Sequence, residues 1–155
     1  IVFGFEADGP EVFEKTLGWM DDLEIDVAQI SILTPIPGTP LHNTMQGRIF
    51  DRDWSRYDFH HAVFEPRGMS AGALKAGHDW VTREFYRPWR IARRLGRCAL
   101  RPRPALALAW TAAINGAYWA RVQAWGIRGE NPAKAAGAAR ERFSTARLDA
   151  REQII

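Results

Sequence analysis

Glu6 and Asp8 stand two residues apart in the segment VFGFEAD, just past a run of apolar residues. Two carboxylates at that spacing could divide acid–base work between them. Asp8 followed by Pro10 also reads as a helix start: the Asp side chain accepts backbone N–H groups and the Pro takes the first helical position. Glu6 alone is therefore kept as a ligand contact. A second set comprises Asp53, Asp58, His60 and His61. Imidazoles and carboxylates ligate metals, but adjacent histidines in an extended stretch point to opposite faces and do not close on one ion. His78 falls on the apolar side of a helical run and reads as a hydrogen-bonded core residue. Cys98 is the single cysteine of the 155 residues. It excludes a disulfide framework, and any iron–sulfur or metal site that needs three thiolates from this chain. With no motif around it, it reads as a structural thiol. No residue is assigned as a catalytic group or metal ligand.

The segment QISILTPIPGTPLH, residues 29–42, carries a different kind of chemistry. An apolar run enters a loop with three prolines and a glycine. The prolines fix φ and lower the entropy lost on ordering, and the glycine admits a backbone geometry or a ligand approach that a side chain would block. Pro40 then starts a helix whose first amides are free to face a ligand. A rigid turn that closes a barrel explains the same residues, and the two readings stand side by side.

These residues need elements to hold them. IVFGF is a short strand. EVFEKTLGWMDDLE places Val12, Phe13, Leu17, Met20 and Leu23 at helical spacing, with Glu11 and Glu14 in the first turn. Ile25 to Leu33 is apolar on nearly every position from Val27 on, as strands covered on both faces are. Strand, helix, strand is a βαβ unit with a right-handed crossover, and in such units the loops after the strands' carboxyl ends carry the ligand site. PLHNTMQGRI reads as one short helix, and HAVFEP as an edge strand ended by Pro66. Ser70 caps a helix that runs to about Leu95, with a stripe of Leu74, His78, Val81, Phe85 and Trp89 and a kink at Pro88. RCALRPRP breaks the chain, Pro104 to Ala120 carries no charge, and a last helix is expected over 132–143. The units are thus 1–48, an irregular linker 49–69, a helical region 70–143 and a disordered tail 144–155. The chain opens inside a strand, with Ile1 rather than Met, and reads as a fragment whose N-terminal part is missing.

Hydrophobic content of 46% and charged content of 25% describe a globular chain. The net charge of +3 hides a split. Residues 1–82 hold six Lys/Arg against thirteen Asp/Glu, whereas residues 83–155 hold fifteen against five. Five tryptophans, from Trp80 to Trp125, interleave with the arginines of the second half. Basic plus aromatic suits a helix packed on the rest of the fold, a membrane interface or, less well, nucleic acid. The run from Pro104 to Ala120 is slightly short for a membrane span. The lone cysteine favours a reducing compartment, so the expected location is cytoplasmic, with the inner face of the membrane as a site of contact.

VFGFEAD followed at this distance by DVAQISILTPIPGTPL resembles the last third of a radical S-adenosylmethionine (SAM) barrel, and DRDWSRYD, VFEPRGMS and HDWVTREFY extend the likeness. The motifs are similar to those of radical SAM enzymes with an N-terminal cobalamin-binding domain and a helical C-terminal extension, the hopanoid methylases among their neighbours. They span about residues 1–97. The resemblance implies an α/β fold, with the end of a partial parallel (β/α)6 barrel (strands five and six) followed by an α-helical extension. It implies SAM, a 4Fe-4S cluster and, in some members, cobalamin in the parent enzyme, with radical methylation of a lipid or other small molecule. By motif position, Gly4 and Glu6 lie against the adenosyl group, and Thr34, Pro35, Pro37, Gly38 and Thr39 border the adenine or substrate side. The family's Cys-x-x-x-Cys-x-x-Cys loop, which binds the cluster that splits SAM, is not in this sequence. The missing N-terminal barrel half and cobalamin domain are the implied partners, and this polypeptide by itself is expected to be inactive. The alternative is a non-enzymatic, basic, Trp-rich module that binds an anionic membrane or a protein.

Overall fold

Two strands carry the sheet, and each is short. In the computed structural model, which describes residues 1–101 and 104–126, β1 (Val2–Phe3) pairs in parallel with β2 (Ser31–Ile32). The register sets Val2 beside Ser31 and Phe3 beside Ile32. The chain is α/β by this pair and otherwise mostly helical: α1 (Val12–Asp22), α2 (Pro40–Met45), α3 (Ala71–Phe85), α4 (Pro88–Leu100) and α5 (Ala105–Ala124).

Both strands fall short of the lengths that the sequence suggests, for local reasons. Gly4 turns out of β1 at φ +109°, and the Asp8 carboxylate then takes the backbone N–H groups of Gly4 and Phe5, each at 2.9 Å. The segment before β2 is held by other groups: the Tyr86 hydroxyl donates to Ala28 O at 2.7 Å and accepts from Ala28 N at 3.3 Å. On the far side of β2, Ile32 N donates to Phe59 O at 2.7 Å. HAVFEP forms no strand of its own. It makes one antiparallel bridge, Ile49 to Phe64, because Val63 O and Glu65 N spend their bonds on residues 48–51.

Helix α1 buries Phe13, Leu17 and Met20, three of the residues on its expected stripe, whereas Leu23 is exposed at its end. Its start corrects the sequence reading. Glu11 is the N-cap, Pro10 precedes it in a turn, and Asp8 serves the β1 exit instead of the helix. The Phe13 ring packs tilted against Phe3, centroids 4.7 Å apart, and lies against α3 at Gly77, where a Cβ would come within 2.3 Å of it. The core gathers here, around Phe3, Phe13, Ile32, Phe64, Leu74 and Val81. Each fully buried side chain of this size contributes about 1.5–3 kcal/mol.

Ser70 caps α3 as expected, its Oγ accepting from Ala73 N at 3.1 Å. The helix does not kink at Pro88; it stops. Arg87 is extended, as a residue before proline prefers, and Pro88 takes the first position of a separate helix, α4, which continues to Leu100. Trp89 consequently leaves the α3 stripe and is exposed, under the guanidiniums of Arg90 and Arg93. PLHNTMQGRI is likewise divided, into α2 and a 3-10 turn at Gln46–Arg48. The helix expected over 132–143 and the tail after it lie outside the described residues.

The charge split has a structural use. The arginines of α4 close on the carboxylates at the end of α1: Arg90 and Arg93 on Asp21, Arg97 and Arg101 on Glu24. Arg94 is buried, with Nη2 donating to Phe85 O at 2.6 Å and its guanidinium 4.0 Å above the Phe85 ring. Burial lowers its pKa to about 10.

Candidate functional site

Because the strands are parallel and in register, Gly4 and Leu33 are opposite neighbours, and the EADG and TPIPGTP loops leave from the same end of the sheet. All seven sequence-predicted site residues thus share that end. They differ in what they do there. Gly4 is required by its positive φ and by the core, since a Cβ would lie 3.1 Å from Leu74 and 3.2 Å from Phe64. Thr34 and Pro35 are buried, and Thr34 Oγ1 donates to Ile32 O at 3.1 Å. Ile36 to Thr39 forms a turn closed by Thr39 N to Ile36 O at 3.2 Å, with Pro37 second and Gly38 third at φ +81°. That is type II turn chemistry. A Cβ on Gly38 would meet open space, so the backbone there stays approachable. The Thr39 hydroxyl accepts from His42 N at 3.2 Å and donates to Ile36 O at 2.7 Å. One of the amides expected to face a ligand is therefore already used as a cap.

Glu6 is the charged group of this end, and its side chain is mostly exposed. Two residues that the sequence reading missed hold it: Arg48 Nη2 donates to Oε1 at 3.1 Å, and Arg67 Nε lies 3.3 Å from the same oxygen. Gly68 makes the second approach possible, because a Cβ there would sit 2.2 Å from Asp8 O. The available signal was the scarcity of bases in the acidic half, where Arg48 and Arg67 are two of six. A carboxylate fixed by two guanidiniums keeps lone pairs for a hydroxyl or amine donor.

A second polar centre lies beside the residues that precede β2. A cavity of about 420 Å³ is lined by Asp58, His60, His61, Lys75, His78, Asp79 and Trp125. His78 is the buried, hydrogen-bonded residue expected: Nε2 lies 3.2 Å from Ile30 O and Nδ1 3.0 Å from Asp79 Oδ1. Burial acts to raise the Asp79 pKa, but the bonds from His78 and Lys75 outweigh it and hold the carboxyl below its usual range. His60 and His61 do diverge. His61 Nδ1 sits 3.0 Å from both Asp58 oxygens, whereas His60 packs edge-on to His78 and Trp125. The buried Nδ1 of His60 has no hydrogen-bond partner, and burial, then the neighbouring His78, lower its pKa. Asp53 is elsewhere, capping a 3-10 turn through Ser55. Among the described residues no His, Cys, Asp or Glu group is arranged to hold a metal ion. Cys98 is buried on α4.

No family model matches the sequence, and no solved structure matches it significantly. Two curated proteins are similar. Over 94 residues, 61% of this chain, it is 33% identical to the bacteriochlorophyllide d C-12(1)-methyltransferase of Chlorobaculum tepidum. Over 96 residues, 57% of this chain, it is 29% identical to the anaerobic magnesium-protoporphyrin IX monomethyl ester cyclase of Cereibacter sphaeroides. The matched part spans 21% of the first relative and 16% of the second.

Proposed function

We propose that this chain is the C-terminal part of a radical SAM enzyme, and that β1 and β2 are the last two strands of its partial (β/α)6 barrel. The observation that carries the reading is the in-register parallel pair whose two loops open at one end. Local similarity to a methyltransferase and to a cyclase supports it, since both belong to radical SAM chemistry. In this reading the loops at the strand ends would hold SAM. Glu6, steadied by Arg48 and Arg67, accepts a hydrogen bond from it, and the open backbone at Gly38 forms part of the wall. SAM when bound supplies the radical precursor or the methyl group, and the residues of this chain bind and orient it. The names of both relatives carry a porphyrin-type macrocycle, so the substrate class is a tetrapyrrole rather than a lipid.

The 4Fe-4S cluster does not fit the donors of this chain. Its one thiol, Cys98, is buried in the helical part, so the ligands must come from other strands of the barrel. Cobalamin has no assigned residue here.

The test is to express the chain together with whatever coding sequence precedes Ile1 in its gene, to reconstitute it anaerobically with iron and sulfide, and to reduce it with dithionite as the electron donor. Expected are cluster absorption and reductive release of 5′-deoxyadenosine from SAM. Glu6→Gln should weaken SAM binding about tenfold, as the loss of one charge-assisted bond does. An upstream sequence without a cysteine loop, or a reconstituted protein that leaves SAM intact, contradicts the assignment.

A further inference from the structure

Helix α5 is folded with its polarity reversed. It buries Thr111, Asn115 and Val122 and rests Tyr118 on Tyr86, their rings stacked 4.8 Å apart. Asn115 Nδ2 donates to Asp26 O at 3.1 Å and Thr111 O at 2.9 Å, so the amide is anchored inward. The opposite face runs through Leu106, Trp110, Ala113 and Ala117 at helical spacing and is exposed. Leu106 is 78% exposed and Trp110 66%. Leu100, which closes α4 five residues before α5 begins, is 89% exposed. The most exposed leucines of the described residues therefore sit together where α4 meets α5, with a tryptophan one turn further along.

Charge says what covers this end. Between Glu84 and Glu130 the sequence contains no carboxylate and nine arginines. Four of these arginines share only Asp21 and Glu24. Of these, Arg97 and Arg101 lie in the last turn of α4 and just past it, and they share the one carboxylate of Glu24, so a net positive charge stands beside the apolar tip. Leucines that enter the acyl boundary, a tryptophan at headgroup level and arginines facing phosphate are the pattern of an interfacial membrane contact. A second copy of the chain would bring arginines against arginines. A nucleic acid has no use for exposed leucine and alanine. No helix of the described residues is long and apolar enough to cross a membrane, so the contact is superficial. We propose that the α4–α5 tip, through Leu100, Leu106 and Trp110, docks this protein on the surface of an anionic phospholipid bilayer.

Sedimentation of the full chain with vesicles tests it. Phosphatidylglycerol-containing vesicles should carry the protein down, and phosphatidylcholine vesicles should carry far less. High salt should release it. Leu106→Asp and Trp110→Gln should each lower partitioning roughly tenfold or more. Both positions are exposed, so helicity and melting should stay as in the parent. Trp54→Gln, at another exposed tryptophan, should bind as the parent does. Equal binding to both lipids, binding that ignores the two tip substitutions, a tip-dependent dimer without vesicles, or salt-sensitive capture by single-stranded DNA in place of vesicles would each overturn the proposal.

Discussion

Single side chains decide where this fold is held. Tyr86 is almost completely buried, and burial raises its pKa to about 12. Its hydroxyl serves both backbone groups of Ala28. Tyr86→Phe should cost about 1–3 kcal/mol, because two buried backbone groups lose their partner; urea unfolding measures it. Two of the groups with lowered pKa values, His60 and Asp79, give a pH signature. For His60, the folded pKa lies below the unfolded value of about 6.5. The unfolded chain binds the extra proton, so this contribution is present above about 6.5 and is lost as pH falls below it. The Asp79 carboxyl is also lowered, from 3.8, so its contribution holds above that value and fades as pH falls through the folded pKa. Thermal melts should therefore decline in two stages with acidification. His60→Gln should flatten the stage below 6.5, and Asp79→Asn the stage below about 4. A melt independent of pH between 5 and 7 in the parent contradicts the first assignment.

Elements meet through a few positions where size is decisive. Gly77→Ala would drive a Cβ into Phe13, between α1 and α3, and should destabilise by about 1–3 kcal/mol or more. Gly18→Ala, in α1 with nothing within 4 Å, should stabilise by up to about 1 kcal/mol. Equal effects from the two would show that the α1–α3 contact is not as described. The helices were legible because their signals are local: the Phe13–Leu17–Met20 spacing and the Ser70 cap each act within one or two turns. The errors have one cause. Asp8 looks like a cap in sequence, but the nearest unpaired amides in space are those of Gly4 and Phe5. Pro88 reads in sequence as a kink within one helix, but a proline can also end one, and tertiary bonds decide; the buried Arg94 reaching back to Phe85 O favours the stop. Strand length was not legible, because it depends on partners distant in the chain, such as Tyr86 and Phe59.

At the scale of the molecule, the acidic segment and the described part of the basic one meet through ion pairs between the end of α1 and α4. Among the described residues, the two-stranded sheet has an open edge at β1. Ile1 O and Phe3 O accept from β2, which leaves the peptide groups of Val2 facing away from it. Val2 and Phe5 are about half exposed. An open parallel edge with apolar side chains beside it is a template for pairing. The chain alone should therefore self-associate at micromolar concentration in light scattering, and, on the function proposed above, a chain that includes further barrel strands should not. That the two loops leave from one end of the sheet was legible in the sequence, since parallel pairing follows from the βαβ pattern. The electrostatics of that end were not, because Arg48 and Arg67 reach Glu6 from 42 and 61 residues away. The most direct measurement is ultraviolet crosslinking of radiolabelled SAM to the anaerobically assembled protein, with the labelled peptides mapped. Label in peptides that contain residues 4–6 or 34–39 is the predicted result, and label confined to α3, α4 or α5 would contradict the account.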